Sequence, residues 1–326
     1  MTKLMLKLGH ITLDIPFFQA AISGYTDYAM RRIARNFGVP LTFTGVMLAK
    51  SIVHPKMFNN PAVRPRDDEH PIGAQILGDE PAAMVKAAKI LESIGYDLID
   101  LNFACPAPKI LRKQRGGFLL KEPDRIMEIY KAVRESVSCP VTMKLRTGFD
   151  ESSLDSFWYV VSHAADAKVD ALIVHPRNVC QRFTGVADWR LLAELKKRFP
   201  QITIIGSGDL FSVEAIKQNM QTTGVDGVAI ARGAIGNPWI FSQLRASLNG
   251  GAFFAQPTVK QQGEIILKHF NLVYELYEPK KAIMHFRKFI VAYCRRHPSR
   301  KKVQKALFSA KNTKEFLAAV RQWYGK

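Results

Sequence analysis

Short runs dominated by apolar and β-branched residues recur eight times between residues 17 and 231, most of them separated by stretches with apolar residues at three- and four-residue steps. A run that is apolar throughout suits a strand buried on both faces, and the longer step is the mark of a helix with one buried stripe. The runs are Phe17–Ala21, Leu41–Thr44, Gly73–Leu77, Leu98–Asn102, Val141–Leu145, Ala171–His175, Ile202–Gly206 and Gly227–Ala231, with Pro81–Ile94 and Asp124–Val137 the clearest intervening helices. Alternation of this kind requires crossover connections and therefore parallel strands. Eight repeats predict an α/β fold, a (β/α)8 TIM barrel, with a doubly wound sheet as the competing architecture.

The polar residues favour the barrel. Gln75, Asn102, Lys144, His175, Ser207 and Arg232 fall at or just beyond the ends of six different runs. In a closed barrel the loops after the strands build one shared face, so strand-end polar groups converge there. Taken singly, each reads equally well as a strand end meeting solvent.

Near residue 242 the pattern changes. Asn249-Gly250-Gly251 through Pro257 reads as a linker. Helical segments follow at Val259–Leu276, Lys281–Arg295 and Thr313–Trp323, the middle one stopped by Arg295-Arg296-His297-Pro298. The expected division is a barrel domain at 1–242 and a small all-helical domain at 243–326. The whole chain has 47 Lys+Arg against 28 Asp+Glu, net +19, and residues 243–326 hold 17 Lys+Arg against 4 Asp+Glu. A charge excess concentrated in one quarter of the chain points to a polyanionic partner. No apolar run is long enough to cross a bilayer, and the segment Met1–Pro16 is too short and too charged for a signal peptide. Cys105, Cys139, Cys180 and Cys294 lack metal-site or disulfide spacing. The expectation is a cytoplasmic, metal-free monomer.

The most informative stretch is Asp100–Leu120, DLNFACPAPKILRKQRGGFLL. Cys105 follows a strand by three residues and is stiffened by Pro106. A thiol is mostly protonated at neutral pH, so it can donate a proton as well as attack. A buried structural cysteine is the equally weighted alternative on these residues alone.

Asn102-Phe-Ala-Cys105-Pro106 with Lys109 and Arg115-Gly-Gly-Phe-Leu-Leu occurs in order with Gln75-Ile-Leu-Gly, Met143-Lys-Leu-Arg, His175-Pro-Arg, Phe183-Thr-Gly-Val-Ala-Asp-Trp, Gly208-Asp-Leu and Ala231-Arg-Gly-Ala-Ile-Gly-Asn-Pro-Trp-Ile-Phe. This ordered set resembles the tRNA-dihydrouridine synthases, strongly over residues 10–245. The resemblance implies an FMN-binding barrel, reduced by NADPH, that reduces uridine in tRNA or another structured RNA. It implies that hydride reaches C6 of the base while Cys105 protonates C5, and that Asn102 holds the base. Cofactor contacts fall to Ala21, Ile22, Ser23, Gln75, Lys144 and His175. The Ser207-Gly208-Asp209 and Ala231-Arg232 turns follow the last two strands, where barrels commonly cradle a phosphate. Lys109, Arg112, Lys113, Arg177, Arg287, Lys288, Arg295, Arg296, Arg300, Lys301 and Lys302 are the expected RNA contacts.

Four positions depart from the family pattern. Ala21-Ile22-Ser23-Gly24 replaces Pro-Met-Ala-Gly, Thr44-Gly45-Val46 replaces Thr-Glu-Met and so lacks a carboxylate, Ser207 replaces Asn, and Pro176 replaces Gly. Two other functions compete: a barrel flavin oxidoreductase acting on a free pyrimidine or enone, and an RNA-binding protein that has lost catalysis.

Overall fold

A computed structural model describes residues 5–54, 57, 64–251 and 255–325. By contact, the chain divides into two compact units: residues 1–26 with 39–231, and residues 27–38 with 232–326. The second unit thus starts eleven residues earlier than the sequence division and recruits a segment from near the N-terminus.

The first unit is a closed parallel barrel. A hairpin of β1 (Leu6–Leu8) and β2 (Ile11–Leu13) precedes it. The barrel strands are β3 (Phe17–Gln19), β4 (Thr42–Phe43), β6 (Ile72–Leu77), β7 (Leu98–Asn102), β8 (Val141–Arg146), β9 (Ala171–His175), β10 (Ile204–Gly206) and β11 (Gly227–Ile230). Each pairs in parallel with its neighbour in chain order, and β11 closes onto β3. A short strand, β5 (Met47–Leu48), extends the pairing at the end of β6. The eight expected strands are all present, with ends shifted by one or two residues. The expected helices appear as Pro81–Ser93 and Pro123–Arg134.

Strand residues are buried almost without exception, which explains why they read as unbroken apolar runs. The hairpin supplies Leu6, Leu8 and Leu13 to a core cluster with Phe18, Leu41, Phe43, Leu98, Ile173 and Ile205. These side chains fill much of the barrel interior, beside a buried row of polar groups.

The second unit comprises helices Tyr28–Asn36, Trp239–Leu248, Val259–Leu276, Pro279–Tyr293, Arg300–Ser309 and Thr313–Tyr324. Helix Val259–Leu276 starts with a capping box in which Thr258 and Gln261 satisfy each other's backbone N–H groups. Phe270, Phe286, Phe289 and Phe316 are fully buried or nearly so and pack ring against ring. Helix Arg300–Ser309 was not expected from the sequence. Part of the expected linker, residues 252–254, lies outside the described residues. Among the described residues, no helix is long and apolar enough to cross a membrane.

Gly206 ends β10 against the helix Trp189–Arg198: a Cβ there would lie 2.4 Å from Trp189 Cζ3. Trp189 also donates from Nε1 to the Gly208 carbonyl, 3.2 Å, so this contact supports the turn after β10. Gly206→Ala is expected to cost about 2 kcal/mol through overpacking, read as a lower urea midpoint with an unchanged slope.

Candidate active site

Three adjacent strands bring a row of polar side chains together inside the barrel. Register pairs Gln75 on β6 with Asp100 on β7, Asp100 with Thr142 on β8, and Asn102 with Lys144. Because side chains alternate faces with period two, Asp100 and Asn102 share a face, as do Thr142 and Lys144. Gln75, Asp100 and Lys144 line a narrow pocket with Phe18, Ala20, Ala21, Phe43, Ile173 and Ala229.

Within it, Asp100 accepts from Thr142 Oγ1 at 2.7 Å and from Gln75 Nε2 at 2.6 Å. Gln75 Oε1 then accepts from Asn102 Nδ2 at 2.6 Å. Asn102 Oδ1 in turn accepts from the backbone N–H groups of Ala104 and Cys105, both at 3.0 Å. Burial pushes the Asp100 carboxyl up to about 6, against the opposing effects of those two donors and the Lys144 charge. It is therefore mainly ionised at neutral pH.

Lys144 Nζ is buried and has no hydrogen-bond partner. Burial pulls its ammonium down to about 8; Asp100 acts to hold it up and Arg146 to lower it further. An ammonium without a hydrogen-bond partner in a largely apolar pocket is costly to the fold and is the reverse of what a structural lysine does. It fits an anionic or acceptor-rich ligand.

Cys105 is half-buried in the loop after β7. Burial raises its thiol above the ordinary value, opposed by the Ala107 backbone N–H and the Arg146 charge, which keeps it protonated at neutral pH. Its carbonyl accepts from Gly117 N at 3.1 Å, and a Cβ on Gly116 would lie 3.0 Å from Cys105 Cβ. The Gly-Gly pair therefore lets the chain fold back tightly over the cysteine loop. Arg115 anchors that return through Asp79, 2.7 Å.

Arg146, not singled out from the sequence, is 1% exposed and acts as a clamp. It donates to the carbonyls of Ala104, Asn178 and Arg182 at 3.0, 2.8 and 2.7 Å, tying the loops after β7 and β9 together, and its guanidinium lies 5.4 Å from the Phe183 ring centre. The motif quoted above contains it, but its partners are carbonyls in other segments, invisible to a motif.

Arg177, expected to face substrate, is turned inward and 2% exposed. It makes a bidentate pair with Asp209, 3.0 and 2.7 Å, and donates to the Thr184 and Gly185 carbonyls. Asp209, expected among the cofactor contacts, has its carboxylate committed to Arg177 and to Ala187 N, so its backbone is what it can offer a ligand. Arg177 Nη1 also lies 3.1 Å from His175 Nε2. A guanidinium only donates, so that ring nitrogen accepts and His175 presents Nδ1–H. Gly208 adopts φ +109°, and a Cβ there would lie 2.6 Å from the His175 ring. Only glycine leaves this cradle open.

Ala21 and Ile22 are half-buried and Ser23 exposed in the loop after β3, where Thr26 Oγ1 accepts from Ile22 N, 3.1 Å. A Cβ on Gly45 would make only ordinary contacts with that turn, so the absent carboxylate is a chemical difference that packing does not enforce. Ser207 is buried and Ala231 half-buried at the ends of β10 and β11. Lys109, Arg112 and Lys113 are exposed just beyond Cys105. In the second unit, Arg232 is half-buried and opens a short 3-10 turn. Arg287, Arg295, Arg300, Lys301 and Lys302 are exposed, and Arg287 reaches the carbonyls that end helix Arg300–Ser309. Arg296 is half-buried and its guanidinium is held below its usual range by burial and by Arg295. Lys288 is half-buried, with Nζ 2.7 Å from His285 Nε2, which also meets Asp27 Oδ2. Among the described residues no group of His, Cys, Asp and Glu could hold a metal ion.

The fold and site together define a (β/α)8 barrel with its reactive groups at the carboxyl ends of the strands. The dihydrouridine synthase (Dus) family profile matches residues 18–324, and the chain belongs to that family. It is 32% identical to a probable tRNA-dihydrouridine synthase of Rickettsia conorii, over 89% of this chain and 87% of the relative. It is 31% identical to one from Treponema pallidum, over 97% and 95%, and 32% identical to tRNA-dihydrouridine synthase B of Pasteurella multocida, over 88% and 86%. Among solved structures it resembles histamine dehydrogenase from Rhizobium sp. 4-9 at TM-score 0.60 and 15% identity, covering 82% of this chain but only 50% of that longer one. Morphinone reductase matches at TM-score 0.55 and 12% identity, covering 75% of this chain and 90% of that one. These structural likenesses speak to the barrel fold.

The unpaired ammonium makes a stability prediction. Lys144 has a lowered folded-state pKa, so its charge destabilises the fold fully below about pH 8 and not at all above about 10.5. Lys144→Met is expected to stabilise the ligand-free protein by about 1–2 kcal/mol at neutral pH. The gain should shrink between those two limits, as followed by denaturant unfolding across pH.

Proposed function

We propose that this chain reduces uridine in tRNA to 5,6-dihydrouridine, using bound FMN, NADPH as the reductant and Cys105 as the proton donor. The half-buried Cys105 thiol, held protonated in a loop clamped by Asn102, carries the reading. The names of the relatives above support the same substrate class.

The residues present suit a flavin. The buried, unpartnered Lys144 ammonium would meet the electron-rich pyrimidine edge of its ring system and stabilise negative charge there. Gln75 adds a nearby amide, and the loop 21–23 adds backbone. Gly208, open beside His175, would receive the phosphate, with Ser207 and Ala231 at neighbouring strand ends. Flavin when bound supplies the hydride that goes to C6 of uracil.

The chain's own residues do the rest. Cys105 delivers its proton to C5; a thiol is a modest acid that brings no fixed charge against a neutral base. Asn102 fixes the Cys105 backbone and so its reach. Arg146 keeps the loops after β7 and β9 in one arrangement and lowers the energy of the thiolate left behind. A uridine inside folded RNA must leave its stack to enter so narrow a site. Lys109, Arg112 and Lys113 at the barrel, and Arg295, Arg296, Arg300, Lys301 and Lys302 in the second unit, would contact phosphates, a salt-sensitive and sequence-independent contribution.

The test uses anaerobically reduced holoenzyme mixed with tRNA lacking the modification or with free uridine, following flavin absorbance and the mass of the nucleosides. The tRNA should oxidise the flavin far faster and gain the mass of two hydrogens per modified site. Cys105→Ala should retain its yellow cofactor and lose at least about 100-fold in rate. Equal oxidation by free uridine would remove RNA from the proposal, and normal turnover by the variant would remove Cys105.

A further inference from the structure

We infer that Asp100 is a positioning residue: its carboxylate, which can only accept, fixes which way round the Gln75 amide faces, so that Gln75 presents its oxygen to Asn102 and Asn102 holds the Cys105 loop in its reactive arrangement. The inference rests on the reading of Cys105 as proton donor, but its test does not depend on turnover.

An amide can be turned over by exchanging its oxygen and nitrogen, so a chain of amides has two possible senses. Here the two ends agree, since the carboxylate only accepts and the loop N–H groups only donate. Asp100 is fully buried and takes a donor on each oxygen, Thr142 Oγ1 at 2.7 Å and Gln75 Nε2 at 2.6 Å. Gln75 must therefore turn its nitrogen toward β7's carboxylate and its oxygen toward Asn102, whose nitrogen meets it at 2.6 Å. That leaves the Asn102 oxygen, and not its nitrogen, for the N–H groups of Ala104 and Cys105. Had the chain run the other way, Asn102 would face two backbone donors with a third donor, and the loop would be released.

The two loop N–H groups demand the same sense of Asn102, and Asp100, two positions earlier on the same strand face, makes Gln75 agree with it. Unsatisfied buried polar groups cost enough to make the wrong sense rare. Asp100 itself donates nothing to the loop and contacts it only through the two amides.

The test exchanges the two ends of the first link. Gln75→Glu opposes two carboxylates with no donor between them, so the first link is lost and their repulsion displaces the side chain to which Asn102 donates. Adding Asp100→Asn restores it: the new amide at 100 accepts from Thr142 and donates to the new carboxylate at 75, which still accepts from Asn102. The readout is the iodoacetamide alkylation rate of Cys105 in the full-length holoenzyme, by peptide mass spectrometry, with bound flavin measured alongside. Gln75→Glu should alkylate about ten-fold faster than the parent, one lost buried link, and the double variant should return to within about two-fold. A double variant as fast as the single would mean that Gln75 matters only as a ligand contact, and would overturn the inference. An unchanged rate in Gln75→Glu would overturn it too. Asp100→Leu, which removes the acceptor without touching Gln75, serves if the single exchange does not fold; it should also release Cys105, and a parental rate there contradicts the inference. Since alkylation needs no RNA, failure here and failure of uridine reduction are separate results.

Discussion

A charged carboxylate sits in the interior of the barrel, and most of the site is arranged around satisfying it. Asp100 has Thr142 on one oxygen and Gln75 on the other, and lies close enough to Lys144 to oppose the loss of that residue's charge. Burial works against both charges; the Gln75 and Thr142 hydrogen bonds and then Lys144 oppose it at Asp100, and Asp100 opposes it in part at Lys144. These two buried charges cost the fold stability, and what they yield is an ammonium at a pocket and a polar chain with a defined direction. Sites commonly hold such costs where chemistry requires them.

From that interior row the organisation spreads outward by clamps. Asn102 takes hold of the Cys105 backbone, Arg146 joins the loops after β7 and β9, and the Arg177–Asp209 pair secures the turn after β10 while fixing the His175 tautomer. Each of these side chains reaches backbone groups of the loops, so the loops after β7, β9 and β10 are tied to one another. A barrel builds its active face from such loops, and here three buried side chains make that face rigid.

The barrel was legible because parallel strands buried on both faces read as mainly apolar runs, and this chain's strands do so apart from the polar residues that build the site. The hairpin Leu6–Leu13 escaped notice because each strand has three residues, too few for a pattern to accumulate. Helix Arg300–Ser309 was hidden by its own charge: only Val303 and Leu307 are buried, one turn apart, among exposed lysines. Within the site, Cys105, Asn102, Gln75 and Lys144 stood out in the sequence because each is polar or reactive and lies in or just past the carboxyl half of an otherwise apolar run. The direction of Arg177 was not, because its partner Asp209 lies 32 residues on, and an arginine beside a histidine at a strand end looks the same facing in or out. Asp100 was visible only as the start of a motif; its importance comes from a neighbour on another strand, which register supplies and sequence does not.

Proton donation by Cys105 requires a thiol, and the loop's burial favours one. The most direct measurement is the alkylation rate of Cys105 in the parent protein, by peptide mass spectrometry, from about pH 6 to about pH 10. A rate that climbs only above the ordinary range of a cysteine thiol is the expected result. A plateau already reached at neutral pH would reveal a standing thiolate, which has no proton to give, and would contradict Cys105 as the acid.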